Sequence, residues 1–333
     1  MEYPNNRRRP APLNKEKLNN QDDHFDLRQL GAVQPKHLDI DIDSLEKSTT
    51  IGKGSHGKVF KAYDKEHKRT VAVKMVEAMS KDDVAILQLE SENMVKCDHP
   101  NIVRCYGIQF KDTTMYIAME YMDIGPLSRI IQYKQRLHEN ILGYIAYQVL
   151  KGLVYLHKFQ HIVHRDLKPS NLLLNSEGEI KIADFGVSGK VKATEDNKRT
   201  WIGTALYMSP ERIEGKDYTT NSDVWSLGLI IWECAVGYFP YFVNNQKPTN
   251  LNILSLRNLI VDYDIPKFPQ EFSDKFRDFL TVCLKKDKNQ RARSFELLEH
   301  PFVRKFKNEG TEKFKKWVEF AVQEIVMMNE HKR

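Results

Sequence analysis

The chain has 333 residues, 41% of them hydrophobic and 29% charged, with 51 Lys and Arg against 45 Asp and Glu for a formal net charge of +6. That length suits one large domain or a two-lobed unit, because single cores stop growing at about 250 to 300 residues, and the composition excludes wholesale disorder. Acidic residues interleave with basic ones along most of the chain, so the mild positive excess makes no nucleic-acid footprint; the one tight basic cluster is Arg7, Arg8 and Arg9.

Residues 1 to about 40 are rich in Asn, Pro, Asp and Arg with little periodicity, and read as a disordered tail. Alternating and β-branched runs then predict strands around 50–51, 59–63, 70–76, 102–110 and 115–120, interrupted by one helix over 82–96 with Val84, Leu87 and Met94 apolar. After Gly125 the period changes, and helices are expected over 137–158, 223–236, 254–261 and 273–284. A small strand-rich lobe is therefore followed by a larger helical one. Residues 120–125 would link them, and the cleft between lobes is a natural ligand site. Farther on, Phe314, Trp317, Val318, Ala321, Ile325 and Met328 recur at helical spacing, a stripe expected to pack on the larger lobe.

The most apolar run, residues 227–236, includes Glu233 and falls far short of the roughly 20 residues that cross a bilayer. No Gly follows Met1 and the chain ends in HKR, so neither myristoylation nor prenylation is expected. Cys97, Cys105, Cys234 and Cys283 lack Cys-x-x-Cys spacing and follow no secretory leader; they are expected as reduced thiols in the core of a cytoplasmic protein.

The segment Gly52-Lys53-Gly54-Ser55-His56-Gly57-Lys58-Val59 lies between two strand-like runs, where glycines let a hairpin backbone approach a polyphosphate. A dinucleotide-binding turn would instead open a helix at once, with an acidic residue about 20 positions on; here the strand-like VFKAY follows. Lys74 ends the apolar run Val71-Ala72-Val73, and either snorkels from a strand end or grips phosphates.

Downstream come HRDLKPSN at 164–171, DFG at 184–186 and GTALYMSPER at 203–212. Phosphoryl transfer needs positioning, charge neutralisation and a group to receive the acceptor hydroxyl's proton. Asp166 is the candidate base, Lys168 can reach the transferring phosphate, and Asn171 and Asp184 offer oxygens to Mg²⁺, a hard cation that keeps waters and substrate oxygens as well. Phe185 and Gly186 supply an apolar plug and a hinge. An Asp in a loop is more often a turn former; it is the order of these motifs, downstream of the glycine loop and Lys74, that points to chemistry.

Together these motifs resemble the protein kinase superfamily, from about Ile51 to Phe302, and DFGVSG followed by GTALYMSPER is most similar to the dual-specificity MAP kinase kinases. The resemblance implies an α+β, two-lobed kinase fold: a small five-stranded antiparallel lobe with one helix over 45–122, and a larger, mainly helical lobe over 123–303. A tail over 1–44 and a helical extension over 304–333 would flank the 45–303 domain. It also implies ATP and Mg²⁺. Ile51, Gly52, Lys53, Gly54, Ser55, His56, Gly57 and Val59 would cover the nucleotide, and Ala72 and Leu173 would line the adenine pocket. Met119 would guard its back, while Glu120 and Met122 offer backbone groups to adenine. Lys74 would hold the α and β phosphates and pair with a helix glutamate, Glu90 rather than Glu92, by its place nine residues before His99. Asn171 and Asp184 would bind the metal.

The same resemblance implies a buried Glu211–Arg291 ion pair, a catalytic loop anchored by Asp223 and Trp225, and a Thr204 hydrogen bond near Asp166 and Lys168. Lys168 in DLKPSN follows the serine/threonine-type pattern, outside the classical tyrosine kinases. The implied activity is transfer of the ATP γ-phosphate to Thr and Tyr in the activation loop of a MAP kinase. Phosphorylation at Thr194 and Thr200 would switch it on, with order imposed on the loop through Arg165. Those threonines have five residues between them, as in plant-type members, where animal members leave fewer. Arg7, Arg8 and Arg9 with Leu13 resemble a MAP kinase docking peptide, although a nuclear-localisation cluster or a solvated tail fits equally. Residues 304–328 would receive the upstream kinase. A monomer without nucleic-acid or membrane partners is expected, cytoplasmic and able to enter the nucleus. A Ser/Thr kinase of the upstream tier and an inactive ATP-binding scaffold stay open as alternatives.

Overall fold

The computed structural model describes residues 40–54, 57–78, 87, 91–133, 136–185, 203–242, 251–266, 268–309 and 311–330, with backbone alone at 53, 54, 329 and 330. Strands β1 (Glu46–Gly54), β2 (Gly57–Asp64), β3 (Arg69–Glu77), β4 (Cys105–Lys111) and β5 (Thr114–Glu120) form an antiparallel sheet in the order β1-β2-β3-β5-β4. The period of two divides β3 between two environments. Val71 and Val73 are fully buried with Phe60, Ala62 and Ala118 on one side, whereas Ala72 and Lys74 belong to the other.

The first side is closed from an unexpected direction. Ile40, Ile42 and Leu45 pack onto it, Ile42 at 1% exposure, and the Ile42 N–H donates to Gln109 Oε1 at 3.2 Å. A disordered tail through residue 44 is therefore corrected for residues 40–44: burying three aliphatic side chains, each contributing about 1.5–3 kcal/mol, offsets the ordering of that short strap. The fourth strand also begins later than expected, at Cys105 instead of 102. Ile102 makes an isolated parallel bridge to Ile182, and the Val103 N–H donates to Ile182 O at 2.9 Å, because this backbone is tied to the large lobe.

In the large lobe β6 (Gly125–Pro126), β7 (Leu172–Leu174) and β8 (Ile180–Ile182) form a second sheet in the order β6-β7-β8. Strands of two or three residues are too short to reveal a period, and this sheet was not expected from the sequence. The helices are α1 (Leu127–Tyr133), α2 (Glu139–Val154), α3 (Pro210–Ile213), α4 (Asn221–Val236), α5 (Ile253–Val261), α6 (Asp274–Cys283), α7 (Ser294–Leu298), α8 (Pro301–Arg304) and α9 (Glu312–Glu330). Residues 91–96 of the small-lobe helix are helical. α4 is buried around nearly its whole circumference, as its continuous apolar sequence requires. It ends where Gly237 turns left-handed, at φ 83°, and donates its N–H to Glu233 O.

The stripe of α9 packs as expected at Phe314, Val318, Ala321 and Ile325, with Trp317 half-buried; Met328 departs from it at 47% exposure. Phe314 stacks on Tyr144 at 4.6 Å. Among the described residues no helix is long and apolar enough to cross a membrane. All four cysteines are free, with Cys97, Cys234 and Cys283 buried and Cys105 half-buried.

Candidate active site

The glycine loop joins β1 to β2, with Gly54 opposite Gly57 and Gly52 opposite Val59, and Val59 in turn opposite Lys74 of β3. Gly57 has φ 122°, and a Cβ there would land on Met75 O of the neighbouring strand. Gly57→Ala is accordingly expected to push β2 from β3 at the nucleotide end, raising the KM for ATP roughly tenfold. Initial rates over an ATP series measure it; an unchanged KM would deny this close approach any part in nucleotide binding.

Ala72 lies directly opposite Met119. With Val103, Met122 and Ala183 they form a small buried cluster, against which Val59, Tyr121 and Leu173 pack. The structure thus brings together Ala72, Met119, Met122, Val59 and Leu173 as expected. Ile51 lies outside the cluster, 45% exposed on β1. Val103 and Ala183 were missed; Ala183 had a signal in its place next to Asp184, while Val103 had none. Ser55, His56, Glu90, Gly186, Thr194, Thr200, Arg7, Arg8, Arg9 and Leu13 lie outside the described residues. Lys74 is buried, and its described partner is Asp184, with Nζ 2.7 Å from Oδ1.

Asp166 is held at several points. Asn171 Nδ2 donates to its Oδ2 at 3.1 Å and to its backbone O at 2.8 Å, and Lys168 Nζ lies 2.9 Å from the same Oδ2. Among the described residues Oδ1 has no partner, so one carboxylate oxygen is left to accept a proton. Lys168 Nζ also donates to Thr204 Oγ1 at 2.8 Å, the expected bond. The Asp166 N–H donates to His164 Nδ1 at 3.1 Å, which assigns the proton to Nε2, and Nε2–H donates to Ala183 O at 2.9 Å. One imidazole thereby ties the Asp166 loop to the strand leading into Asp184.

Asp223 anchors this loop from α4: Oδ2 accepts the His164 N–H at 2.8 Å and Oδ1 the Arg165 N–H at 3.0 Å, while His157 Nε2 lies 2.8 Å from Oδ2. Burial pushes the Asp223 carboxyl up, but the hydrogen bond and charge of His157 and the His164 N–H outweigh it, and the group stays ionised, below its ordinary range. Arg165 and Asp184 both sit in the left-handed region, at φ 71° and 60°. Such backbone costs about 1–3 kcal/mol per residue; Asp223 holds the first and Lys74 the second. Trp225, expected to anchor the same loop, faces the Arg291 guanidinium, 5.1 Å from its ring.

Arg291 makes a bidentate pair with Glu211, at 2.8 and 3.0 Å, and Ser222 Oγ donates to Glu211 at 2.7 Å. Beside Lys168 and Thr204 opens a cavity of about 600 Å³ that includes Ile131, Gln132, Pro169, Tyr207 and Glu233. Tyr207 donates its hydroxyl to Glu233 at 2.5 Å, and burial holds the Glu233 carboxyl above its ordinary value.

Asn171 and Asp184 bring one amide and one carboxylate to the same cleft. Among the described residues no group of three or more His, Cys, Asp and Glu could hold a metal alone. Such a sparse oxygen set fits Mg²⁺, which binds through one or two carboxylates and completes its shell with phosphate and water.

The protein kinase domain family matches residues 45–303. The chain belongs to that family, and it is a protein kinase, a phosphotransferase. It is 40% identical over 285 residues to mitogen-activated protein kinase kinase 2 of Arabidopsis thaliana, covering 84% of this chain and 78% of that one. Mitogen-activated protein kinase kinase 1c of Physcomitrium patens is 39% identical over 81% of this chain and 79% of its own. Dual specificity mitogen-activated protein kinase kinase dSOR1 of Drosophila melanogaster is 38% identical over 84% and 75%. Within the protein kinases, the chain belongs to the MAP kinase kinases.

Proposed function

We propose that this kinase transfers the ATP γ-phosphate to both Thr and Tyr in the activation loop of a MAP kinase, after an upstream MAP kinase kinase kinase has phosphorylated Thr194 and Thr200. The observation that carries the chemistry is Asp166, with Oδ2 engaged by Asn171 and Lys168 and Oδ1 without a partner among the described residues, while Lys168 itself lines a cavity large enough for substrate side chains. When bound, ATP supplies the phosphoryl group and Mg²⁺, held by Asn171 and Asp184, neutralises its charge. Asp166 Oδ1 receives the acceptor hydroxyl's proton. Lys168, steadied by Thr204, stabilises negative charge on the transferring group, and Lys74 holds the α and β phosphates. The cluster around Ala72 and Met119 receives adenine.

Arg7, Arg8, Arg9 and Leu13 would dock the MAP kinase and raise its effective concentration. Phe320, Met327 and Met328 of α9, at 54%, 58% and 47% exposure, offer apolar surface to the upstream kinase. A cytoplasmic enzyme with access to the nucleus fits this pathway position.

Phosphosite mapping on a panel of purified MAP kinases, each with its own active-site lysine blocked, tests the proposal. Label on both Thr and Tyr of one activation loop is expected; label on a single hydroxyl type, or on neither, counts against it. After treatment with the upstream kinase, Thr200→Ala is expected to lower activity more than Thr194→Ala, and unimpaired turnover by both would sink the switch.

A further inference from the structure

Lys181 of β8 is a lysine with only 11% of its side chain exposed, and none of the chemistry above uses it. Its Nζ lies 2.6 Å from Glu120 Oε1 and 3.3 Å from Glu179 Oε2. Glu120 closes β5 in the small lobe and opens the linker, whereas β8 belongs to the large lobe, so the shorter contact crosses between lobes. Glu179 divides its carboxylate, since Asn175 Nδ2 donates to the same Oε2 at 2.7 Å. Glu120 is further fixed at the head of β4: its Oε2 accepts the Arg104 N–H at 3.3 Å, and its own N–H donates to Arg104 O at 2.9 Å. Burial alone would lower the lysine's affinity for its proton, but the charge and hydrogen bond of Glu120, with those of Glu179, outweigh it and raise the pKa.

We propose that Lys181 and Glu120 form an electrostatic latch at the back of the nucleotide cleft, setting the height of the adenine-facing linker over the cleft floor and so the affinity for ATP. Three adjacencies link the latch to the nucleotide. Lys181 is the direct cross-strand neighbour of Leu173, which packs on the Ala72–Met119 cluster. Glu120 is one residue from Met119 and two from Met122, both in that cluster. Two residues after Lys181 the chain enters the cluster again at Ala183, and the next residue is Asp184. Lys181 is a positioning residue, because it acts through the linker and the floor. Without it, Glu120 and Glu179 would face each other as two half-buried carboxylates. Their repulsion, stronger than in water because the site is half-buried, would drive the linker from the floor.

The inference rests on ATP occupying this cleft, and the test separates the two. Full-length enzyme carrying Lys181→Met, Lys181→Arg or Glu120→Gln is assayed for the KM of MgATP, the KM of a lysine-blocked MAP kinase and the melting temperature. Lys181→Met is expected to raise the KM for MgATP roughly tenfold while the KM for the protein substrate stays within about twofold; Lys181→Arg, which keeps the pair, is expected to stay near wild type. If Lys181→Met does not fold, Glu120→Gln removes the cross-lobe ion pair without leaving opposed carboxylates, and a smaller rise confined to the MgATP KM is expected. An unchanged ATP KM in a folded variant, an equal rise in both KM values, or an arginine variant as impaired as the methionine one overturns the latch. Wild-type protein that transfers phosphate without saturating in ATP overturns the nucleotide reading and the latch together.

Discussion

Asp166→Asn is expected to lower kcat by about a hundredfold to ten-thousandfold, the range that a positioned general base contributes. Asparagine keeps the shape and can still accept from Asn171 Nδ2, which donates to Oδ2 at 3.1 Å. It loses the charge that pairs with Lys168 and the basic oxygen that takes the hydroxyl proton. The KM for ATP should move little, because Asp166 lies outside the cluster proposed for adenine, and the melting temperature should stay close to wild type. Steady-state rates on a lysine-blocked MAP kinase measure the effect. A variant that keeps most of the wild-type kcat would remove Asp166 from the base role and leave positioning as its contribution. Background labelling in which wild type and variant give equal signal would revive the scaffold alternative.

The second large effect concerns stability. Arg291→Ala is expected to destabilise the large lobe by about 3–5 kcal/mol, because it strands a buried carboxylate. The Arg291 side chain is fully buried and that of Glu211 is 7% exposed. With that partner gone, only neutral donors, the Ser222 hydroxyl and the backbone N–H of Glu211 itself, would still reach the carboxylate. Against a total stability of about 5–15 kcal/mol, that loss is large, and denaturant unfolding measures it. Wild-type stability in the arginine variant would show that this pair contributes nothing net.

A pH dependence follows from the same site. Burial pushes the Glu211 carboxyl up, but the hydrogen bonds and charge of Arg291, with Ser222, bring it down to about 2 from the usual 4.5. A folded pKa below the unfolded one means the contribution is complete above about pH 4.5 and lost as pH falls towards 2. Its size is on the order of 3 kcal/mol. The stability gap between wild type and Glu211→Gln should therefore narrow across that interval, and a gap constant from pH 6 to pH 2.5 would assign the acid sensitivity to other groups.

Asp166, Lys168 and Asn171 were legible because their mutual geometry is local, all three standing in one short motif whose turn brings each within reach of the next; Thr204 reaches Lys168 from 36 positions away and was legible only through the family resemblance. The strands of the small lobe were legible from period-two patterns, and α2 and α4 from long apolar repeats. Other features carried no such trace. The left-handed conformation of Arg165 is not a preference of arginine, and that of Asp184, a type that tolerates it, is not announced by the sequence; Asp223 and Lys74 hold them from elsewhere in the chain. The strap of Ile40 and Ile42 looked like tail, because alternation over three residues cannot be told from chance until the sheet face that covers it is known. The contact of Trp225 with Arg291 left no trace either, since a helix's sequence does not say which neighbour each face meets.

Taken alone, the sequence determined which chemical groups the enzyme owns and the order in which the chain delivers them: a glycine hairpin, a lysine on an apolar strand, a candidate base, two candidate metal-binding oxygens, and a family shared with the MAP kinase kinases. Tertiary structure decided which of those groups work as pairs. Lys74 meets Asp184 from 110 positions away, and Lys181 meets Glu120 from 61. An ionic interaction depends on separation and on how much water remains between the charges. Neither quantity exists in the linear order of residues; both arise when the two lobes close over the cleft.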